Sequence, residues 1–269
     1  MILNGQKSIQ TLKLSNMNKF LTYFVFFSLL YVSCASAQVV LIDPGHGGED
    51  CGAMAYQKYK KQKKVQVICE KDIALIIAKK VQKYLRPDFN AYLTRTIDST
   101  VGLEKRANMA DKIRADIFIS IHLNSSKMKN GQGYETFYLS NHNDKAVKKI
   151  EQVENKNAKG EQAIINKILA DLVIDRVAPQ SKRLATLLHK EISKNIKKKY
   201  KLTDRGIKPA LFYVLALSKR PSVLLEAGFV SNEREIKKIL NNDFQNKYAL
   251  AVANGIRRYF KKNKGFPFF

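Results

Sequence analysis

Acidic residues are scarce in this chain of 269 residues, which has 23 Asp and Glu against 48 Lys and Arg and a formal net charge of +25. Such a charge favours an anionic partner or helps to keep the protein in solution. The sequence also lacks internal repeats and any linker that would separate a second domain. With 45% hydrophobic and 26% charged residues, its composition excludes both a disordered polymer and a multispan membrane protein.

No apolar run has the roughly 20 residues that a membrane-spanning helix needs. The run Phe20–Val32 follows the basic Lys19 and precedes the small residues 35–37, a pattern typical of a signal peptide. We predict that residues 1–37 are a signal peptide and that the exported chain, in the periplasm or cell envelope, has no transmembrane span. Export makes nucleic acid an unexpected partner. A lipid-modified Cys34 is the alternative.

Only two cysteines, Cys51 and Cys69, follow the predicted signal peptide. In an oxidising compartment they can form one disulfide. The alternative is two buried free thiols, which we favour because sequence alone does not show that their Cα atoms come within bridging distance.

Strand-like and helix-like segments alternate along the rest of the chain. This alternation predicts an α/β fold, a single domain with a mixed, largely parallel twisted sheet flanked by helices. The predicted strands cover residues 39–42, 91–94, 117–121, 133–139, 212–217 and 222–225, and the predicted helices cover 70–86, 103–114, 184–196 and 244–256.

One polar segment, residues 143–179, interrupts this alternation. It is long for a connection, so it is either disordered or functional. Apolar residues recur in it at helical spacing, at Ala146, Ile150 and Val153 and again at Ile164, Ile168 and Leu172. The lysine runs 58–64 and 197–201 are interpreted as solvated surface.

Two imidazoles and two carboxylates fall where a ligand crevice is expected. In an open α/β sheet, ligands bind beyond the carboxyl ends of the strands. His46, His122 and Glu226 each follow or end a predicted strand, and Glu70 begins a helix. Two histidines and one carboxylate are a common catalytic zinc set, and a second carboxylate can act as general base on a water molecule. The pattern predicts a metal-dependent hydrolase.

The remaining histidines carry no such signal. His142 lies in a polar turn and His189 in an apolar helical pattern, and we interpret both as hydrogen-bonded structural residues. His46 differs because it lies in the glycine-rich loop 44–48, where glycines allow the backbone to approach a bound group closely.

Seven blocks of sequence follow one another over essentially the whole chain after residue 37. They are Val40–Gly48, Glu70–Leu75, Leu93–Thr96, Arg106–Asn108, Ala115–Ser125, Arg205–Ala210 and Leu224–Asn232. In content and order these blocks resemble the type 3 N-acetylmuramoyl-L-alanine amidases. The resemblance implies that His46, Glu70 and His122 bind one zinc ion and that Glu226 is catalytic.

The activity that the resemblance implies is hydrolysis of the amide between N-acetylmuramic acid and the L-alanine of the stem peptide in peptidoglycan. A zinc peptidase of the stem peptide and a catalytically silent wall-binding protein are the alternatives. Asn124 and Arg205 are candidates for orienting the substrate, and Asp43 is a candidate partner of a ligand imidazole.

In cell-division members of the family, a helical insertion covers the active site and places a glutamate on the zinc until an activator protein displaces it. The resemblance therefore implies that residues 143–179 form a regulatory helical insertion near the active site, with a role in wall remodelling or daughter-cell separation. Residues 146–153 are the expected docking face. Glu154 is the expected autoinhibitory ligand and Glu151 is its rival. A flexible solvated loop is the alternative.

Overall fold

The structure, a computed structural model, describes residues 37–58, 65–126, 131–156, 158 and 160–262. The predicted signal peptide up to residue 36, including Cys34, lies outside these residues, as do residues 59–64 of the first lysine run. None of the helices in the described ranges combines the length and the hydropathy of a membrane span.

Eight strands and seven helices are assigned in the described ranges. The strands are β1 Val39–Pro44, β2 Met54–Lys58, β3 Val65–Cys69, β4 Asn90–Leu93, β5 Ile117–Asn124, β6 Tyr134–Leu139, β7 Asp204–Ala210 and β8 Ser222–Phe229. The helices are α1 Glu70–Leu85, α2 Leu103–Lys112, α3 Lys145–Glu154, α4 Glu161–Tyr200, α5 Tyr213–Leu217, α6 Glu233–Ile239 and α7 Asn242–Lys262.

Six strands form one sheet in the order β4-β1-β5-β8-β6-β7, and β2 pairs with β3 in a separate antiparallel ribbon. Neighbouring strands of the large sheet are parallel except β8 and β6, which are antiparallel. Because a parallel sheet is covered on both faces, its strands are apolar throughout, and β5 and β8 are buried along their whole length. The predicted fold class is confirmed.

Helices cover both faces of the sheet. Helices α1 and α7 pack on one face with the second half of α4, whereas α2, α3 and α5 lie on the other face with its first half. Side chains of β1 alternate between the two faces of the sheet. Val40 and Ile42 belong to the core on the first face, and Leu41 belongs to the core on the second. The single helix α4 therefore contributes to both cores.

The prediction of a strand at 212–217 and the prediction of a helix break at Pro179 are wrong. Residues 212–217 form the short helix α5 and its cap instead of a strand, because a short apolar run has no periodicity that separates the two structures. Pro179 lies inside α4 instead of ending the insertion before a new helix. Proline disfavours a helix interior, but buried Val177 before it and Leu184 after it keep both sides packed.

The sequence analysis missed three strands. Gly206 and Pro209 obscure β7, and proline is tolerated there because β7 is the edge strand of the sheet. Strands β2 and β3 lie on either side of the lysine run 58–64 in the sequence. The sequence analysis interpreted that charged run as solvated surface and therefore did not predict that its flanking segments pair.

Cys51 and Cys69 form a disulfide with their Cα atoms 5.0 Å apart, so the expectation of two free thiols is wrong. The cause is the β2–β3 pairing, which places Met54 opposite Cys69 and returns the chain to the start of α1. Spacing in the sequence could not reveal this approach. The disulfide connects the loop after β1 to the helix that begins at Glu70.

Replacing both cysteines with serine should destabilise the domain. The disulfide joins residues 18 apart in sequence, and closing a loop of this size contributes about 3 kcal/mol. We expect Cys51→Ser/Cys69→Ser to lower the free energy of unfolding in urea by about 2–4 kcal/mol. A reductant should lower the wild-type stability to the level of the double variant and leave that variant unchanged. A wild type as stable with reductant as without it would contradict the prediction.

Candidate active site

Three of the predicted side chains meet at the carboxyl ends of β1 and β5. His46 follows β1, His122 lies near the end of β5 and Glu70 begins α1. One possible ligand atom from each lies within 4.8 Å of the others, and all three residues are buried. This arrangement, the His–Glu–His cluster, can hold a metal ion.

Glycines let the backbone run directly against these side chains. A Cβ atom on Gly45 would lie 2.4 Å from the His122 ring, and one on Gly52 would lie 2.6 Å from both Glu70 Oε2 and the His46 ring. Neither position has room for a side chain. His46 itself has a φ of 56°, a left-handed conformation that is costly for a residue with a side chain and that recurs at functional sites.

Two buried arginines hold this loop in place. Arg95 donates to the carbonyl oxygens of Pro44 and Gly45 at 3.1 and 2.8 Å, and Arg106 donates to those of Pro44 and His46 at 2.8 and 2.6 Å. The sequence analysis assigned no role to either arginine. The feature of the sequence that could have identified them is their position in two of the blocks that resemble the amidases, Leu93–Thr96 and Arg106–Asn108.

Asp43 does not orient an imidazole, so its predicted role as a partner of a ligand histidine is wrong. Its Oδ1 accepts hydrogen bonds from Arg106 and Thr94, and its Oδ2 accepts one from Ser120 at 2.8 Å. Burial would raise the pKa of Asp43, but the Arg106 guanidinium and the hydrogen bonds lower it. Three donors from other segments occupy the carboxylate, which fixes the end of β1.

Asp50, which the sequence analysis did not single out, is the partner of His46. Its Oδ2 lies 2.9 Å from His46 Nδ1, and its Oδ1 accepts a hydrogen bond from Lys156 Nζ at 2.9 Å. The other ring nitrogen of His46, Nε2, is buried and lies 3.2 Å from Glu70 Oε2, without a well-directed hydrogen bond to any described residue. Burial would lower the pKa of His46, but Glu70, Asp50 and Glu154 raise it to about 11. The surroundings therefore favour a positive charge at this position.

The Glu70 carboxylate is bonded on both oxygens. Oε2 accepts from the backbone N–H of Ala53 at 2.7 Å and lies 3.2 Å from His46 Nε2. Oε1 accepts from the N–H of Leu123 at 2.8 Å and lies 3.0 Å from His122 Nδ1. Burial would raise the pKa of Glu70, but the two imidazoles and their hydrogen bonds lower it below its usual range. The carboxylate therefore stays ionised in the interior.

Glu226 lies next to the cluster on the neighbouring strand β8. It is paired in register with His122 on one side and with Glu135 on the other, so the three side chains share one face of the sheet. It is buried, and its Oε2 has no hydrogen-bond partner among the described residues. Burial, together with the charges of Glu70, Glu154 and Glu135, raises its pKa well above the usual range. The surroundings of this carboxyl therefore favour its protonated form.

Asn124 and Arg205, the two substrate candidates, both bond Glu135. Asn124 Nδ2 donates to Glu135 Oε1 at 2.6 Å, and Arg205 Nε donates to Oε2 at 3.1 Å. The side-chain oxygen Oδ1 of Asn124 also accepts a hydrogen bond from the backbone N–H of Ser125 at 2.8 Å. Asn124 is therefore occupied within the protein, whereas the Arg205 side chain is 35% exposed.

Helix α3 brings Glu154 to the His–Glu–His cluster. Glu154 Oε2 lies 3.2 Å from His122 Nδ1 and 3.7 Å from His46 Nε2. The rival Glu151 lies elsewhere, because its Oε1 accepts from His142 Nε2 at 2.6 Å and from a backbone N–H. Glu154 is therefore the residue of this pair that reaches the imidazoles.

The docking face of α3 differs from the predicted one. Ala146 and Val153 are exposed, Val153 by 56%, whereas Val147 is buried and Ile150 packs against the core. The helix therefore presents residues 147, 150, 151 and 154 to the domain, a stripe shifted by one residue from the expected one.

The remaining histidines are hydrogen-bonded within the fold, as predicted. His142 bonds Glu151 in the insertion. His189 lies 3.0 Å from Thr136 Oγ1 through Nδ1 and 2.7 Å from Asp204 Oδ1 through Nε2. Both ring nitrogens of His189 are occupied, so it has no free ligand atom.

The sequence profile of the N-acetylmuramoyl-L-alanine amidases matches residues 40–258. The amidase AmiA of Salmonella typhimurium is 34% identical over 235 residues, which cover 84% of this chain and 77% of that protein. The crystal structure of an N-acetylmuramoyl-L-alanine amidase from Clostridium difficile 630 is 31% identical, with a TM-score of 0.61, covering 86% of this chain and 100% of that one.

A third similar protein was solved with a partner. The CwlD amidase from Clostridioides difficile, in complex with the GerS lipoprotein, is 26% identical with a TM-score of 0.61, covering 84% of this chain and 99% of that one. The match of the profile to most of the chain, together with these relatives and the His–Glu–His cluster, shows that the chain belongs to the N-acetylmuramoyl-L-alanine amidase family of cell-wall hydrolases.

Proposed function

We propose that this protein is an exported, zinc-dependent peptidoglycan amidase that its own Glu154 holds inactive. The observation that carries the proposal is the position of Glu154 Oε2, 3.2 Å from His122 Nδ1 at the His–Glu–His cluster. Membership of the family gives the scissile bond, the amide between N-acetylmuramic acid and L-alanine. Daughter-cell separation or wall remodelling is the corresponding role.

The residues of the cluster fit a zinc ion. Two imidazole nitrogens and one carboxylate oxygen are a set that binds catalytic zinc and leaves a further position open. His46 Nε2 is a buried nitrogen that faces the carboxylates of Glu70 and Glu154 at 3.2 and 3.7 Å and makes no well-directed hydrogen bond in the described part of the chain. Its Nδ1 faces Asp50 at 2.9 Å, and such a carboxylate partner is typical of a metal-ligating histidine. When bound, zinc polarises the substrate carbonyl and lowers the pKa of a water molecule.

Glu226 is the proposed proton carrier. Its carboxylate accepts the proton of the attacking water and delivers it to the amine of L-alanine as the amide breaks. A base must first be ionised, and the charge of Glu154 is one of the causes that raise the pKa of Glu226. Departure of Glu154 from the cluster removes this contribution, whereas burial and the charge of Glu70 remain as the larger causes.

Glu154 is the proposed inhibitory group because its carboxylate stands where substrate must approach the cluster. Bonds at the end of α3 keep it there. Asn155 Nδ2 donates to the carbonyl of Leu211 at 2.9 Å, and its Oδ1 accepts from the N–H of Tyr213 at 2.9 Å. Lys156 adds an ion pair to Asp50 at 2.9 Å. A preference of 2 to 3 kcal/mol for this closed state, an order-of-magnitude figure, keeps roughly 97–99% of molecules inactive.

The proposed activator is a protein that binds the exposed start of α4. Ile164, Ile168 and Leu172 follow one another at four-residue spacing and are 63%, 56% and 75% exposed. A contiguous apolar stripe of this kind marks an interaction surface. The solved complex of CwlD with GerS is a precedent for a partner in this family. Since α4 begins seven residues after Glu154, an activator bound here acts on the segment that carries the inhibitory carboxylate.

The purified protein should contain about one zinc ion per chain. We expect His122→Ala to lose both the metal, measured by mass spectrometry of the acid-digested protein, and the hydrolysis of cell wall. His189→Gln, on the other face of the sheet, is the matched control and should keep both. Digests should contain peptides that begin with L-alanine, whereas a peptidase would release shortened peptides. Full activity of His122→Ala in metal-free buffer would disprove the zinc assignment.

Glu226→Gln should keep the metal but lose turnover. The amide has the shape of the carboxylate and accepts no proton, and loss of a general base costs about 100-fold or more in rate. Glu233→Gln, an exposed substitution of the same kind, is the control. Near wild-type rates for Glu226→Gln would assign the base to another group.

Glu154→Ala should raise basal wall hydrolysis at least severalfold without any added partner, because it removes the carboxylate from the cluster. Dye release from labelled peptidoglycan measures the rate. Glu161→Ala, in the exposed first turn of α4, should leave the rate unchanged. Unchanged or lower activity from a folded, zinc-loaded Glu154→Ala protein would contradict the inhibitory role of Glu154 and of the insertion.

A further inference from the structure

Glu135 is a fully buried carboxylate that the hydrolytic step does not use. Its Oε1 accepts from Asn124 Nδ2 at 2.6 Å, and its Oε2 accepts from both Arg205 Nε at 3.1 Å and Lys208 Nζ at 2.5 Å. One carboxylate therefore holds two cations side by side, and the group keeps one positive charge in excess. We call Arg205 and Lys208 the cation pair.

Both members of the cation pair have unused donors. The Arg205 side chain is 35% exposed and that of Lys208 is 29% exposed, although Glu135 beneath them is fully buried. Within the described residues Arg205 donates only through Nε, so its two terminal amino groups are available, and Lys208 donates to Glu135 alone. The Arg205 guanidinium carbon lies 5.3 Å from the centroid of the Phe229 ring, which supports the side chain without using a donor.

The cation pair lies in line with the catalytic residues. His122 on β5, Glu226 on β8 and Glu135 on β6 are neighbours in register, so their side chains form one row across the sheet. Neighbouring strands are about 4.8 Å apart, so Glu135 begins roughly 10 Å from the strand of His122. Two to three extended peptide residues span about that distance.

We propose that the cation pair binds a carboxylate of the stem peptide, on the second or third residue of the peptide that leaves with L-alanine. The inference rests on the proposed function, because it takes the scissile amide to lie at the His–Glu–His cluster. A guanidinium binds a carboxylate through two parallel hydrogen bonds, and the ammonium adds a further charge-assisted bond. Glu135 orders both cations before the substrate arrives, which reduces the entropy lost on binding.

The site therefore selects an acidic peptide and fixes its direction along the sheet. Amidation of the recognised carboxylate removes the charge and replaces an acceptor with a donor.

The lysines at the end of α4, such as Lys198, form another positively charged surface. No hydrogen bond from Lys198 to a buried carboxylate occurs in the described part of the chain, and an exposed lysine run is typical of a solvated face. Lys198 is therefore a matched control for a change of charge alone.

The test compares three soluble substrates: a muramyl tripeptide with free carboxylates, the same compound amidated at the second-residue carboxylate, and the same compound amidated at the third-residue carboxylate. The full chain carries Glu154→Ala and is loaded with zinc. We expect kcat/KM to favour the acid by about tenfold through KM, the effect of about one charge-assisted hydrogen bond. Arg205→Gln and Lys208→Gln should each reduce this preference, because the loss in kcat/KM falls mainly on the acid. Arg205→Lys should keep part of the preference, and Lys198→Gln should keep all of it.

Equal cleavage of the acid and both amides would overturn the inference and leave the amidase activity standing. So would an undiminished preference in both glutamine variants, or an equal loss on all substrates, which would assign the cation pair to the support of Glu135. Absence of cleavage would instead count against the proposed function. Calorimetric titration with the free tripeptide then decides the inference separately: tighter binding of the acid than of the amides, lost in Arg205→Gln, supports it, and equal binding overturns it.

Discussion

A buried carboxylate in need of partners is the constraint on which this site depends. Ionised Glu70 is stable in the interior only because both oxygens are hydrogen-bonded and two imidazoles lie beside it. Its partners come from the loop between β1 and β2, which supplies His46 and Ala53, and from the end of β5, while Glu70 itself begins α1. The sheet, the ribbon and the helix must therefore all be assembled before the cluster exists, so that folding and the capacity to bind a metal are formed together.

Much of this arrangement could be predicted because parallel strands share an edge. Strands β1, β5 and β8 are parallel neighbours, so residues near their carboxyl ends approach one another, and His46, His122 and Glu226 could be grouped without knowing their distances. The predicted strands 117–121 and 222–225 were too short, because β5 and β8 continue past His122 and Glu226. The same reasoning failed at 212–217, where a short apolar run is equally compatible with helix and strand, and at Pro179, where packing on both sides overrides a local preference. Local sequence patterns predicted the helices and strands correctly only where the tertiary packing favours the same structure.

Contacts between distant segments could not be predicted. Asp43 was expected beside an imidazole because it lies close to His46 in sequence, yet Asp50 is the bonded neighbour. The roles of Arg95 and Arg106 depend on carbonyl groups about 50 to 60 residues earlier in the chain. The loop around His46 contains residues with positive φ, so its side chains do not point in directions that repeat along the sequence as they do in a helix or strand. The residue types therefore indicated the chemistry of the site, but not which side chains hold the loop in place.

The disulfide has a topological consequence for the same site. Cys51 directly follows Asp50, the partner of His46, and Cys69 directly precedes Glu70. The disulfide and the chain from residue 51 to residue 69 form a covalent ring. The chain enters this ring next to Asp50 and leaves it next to Glu70, and the bridge holds these two points close together whatever the number of residues between them. Ala53, inside this ring, donates its N–H to Glu70, so the bridge also brings together the carboxylate and one of the donors that keep it ionised.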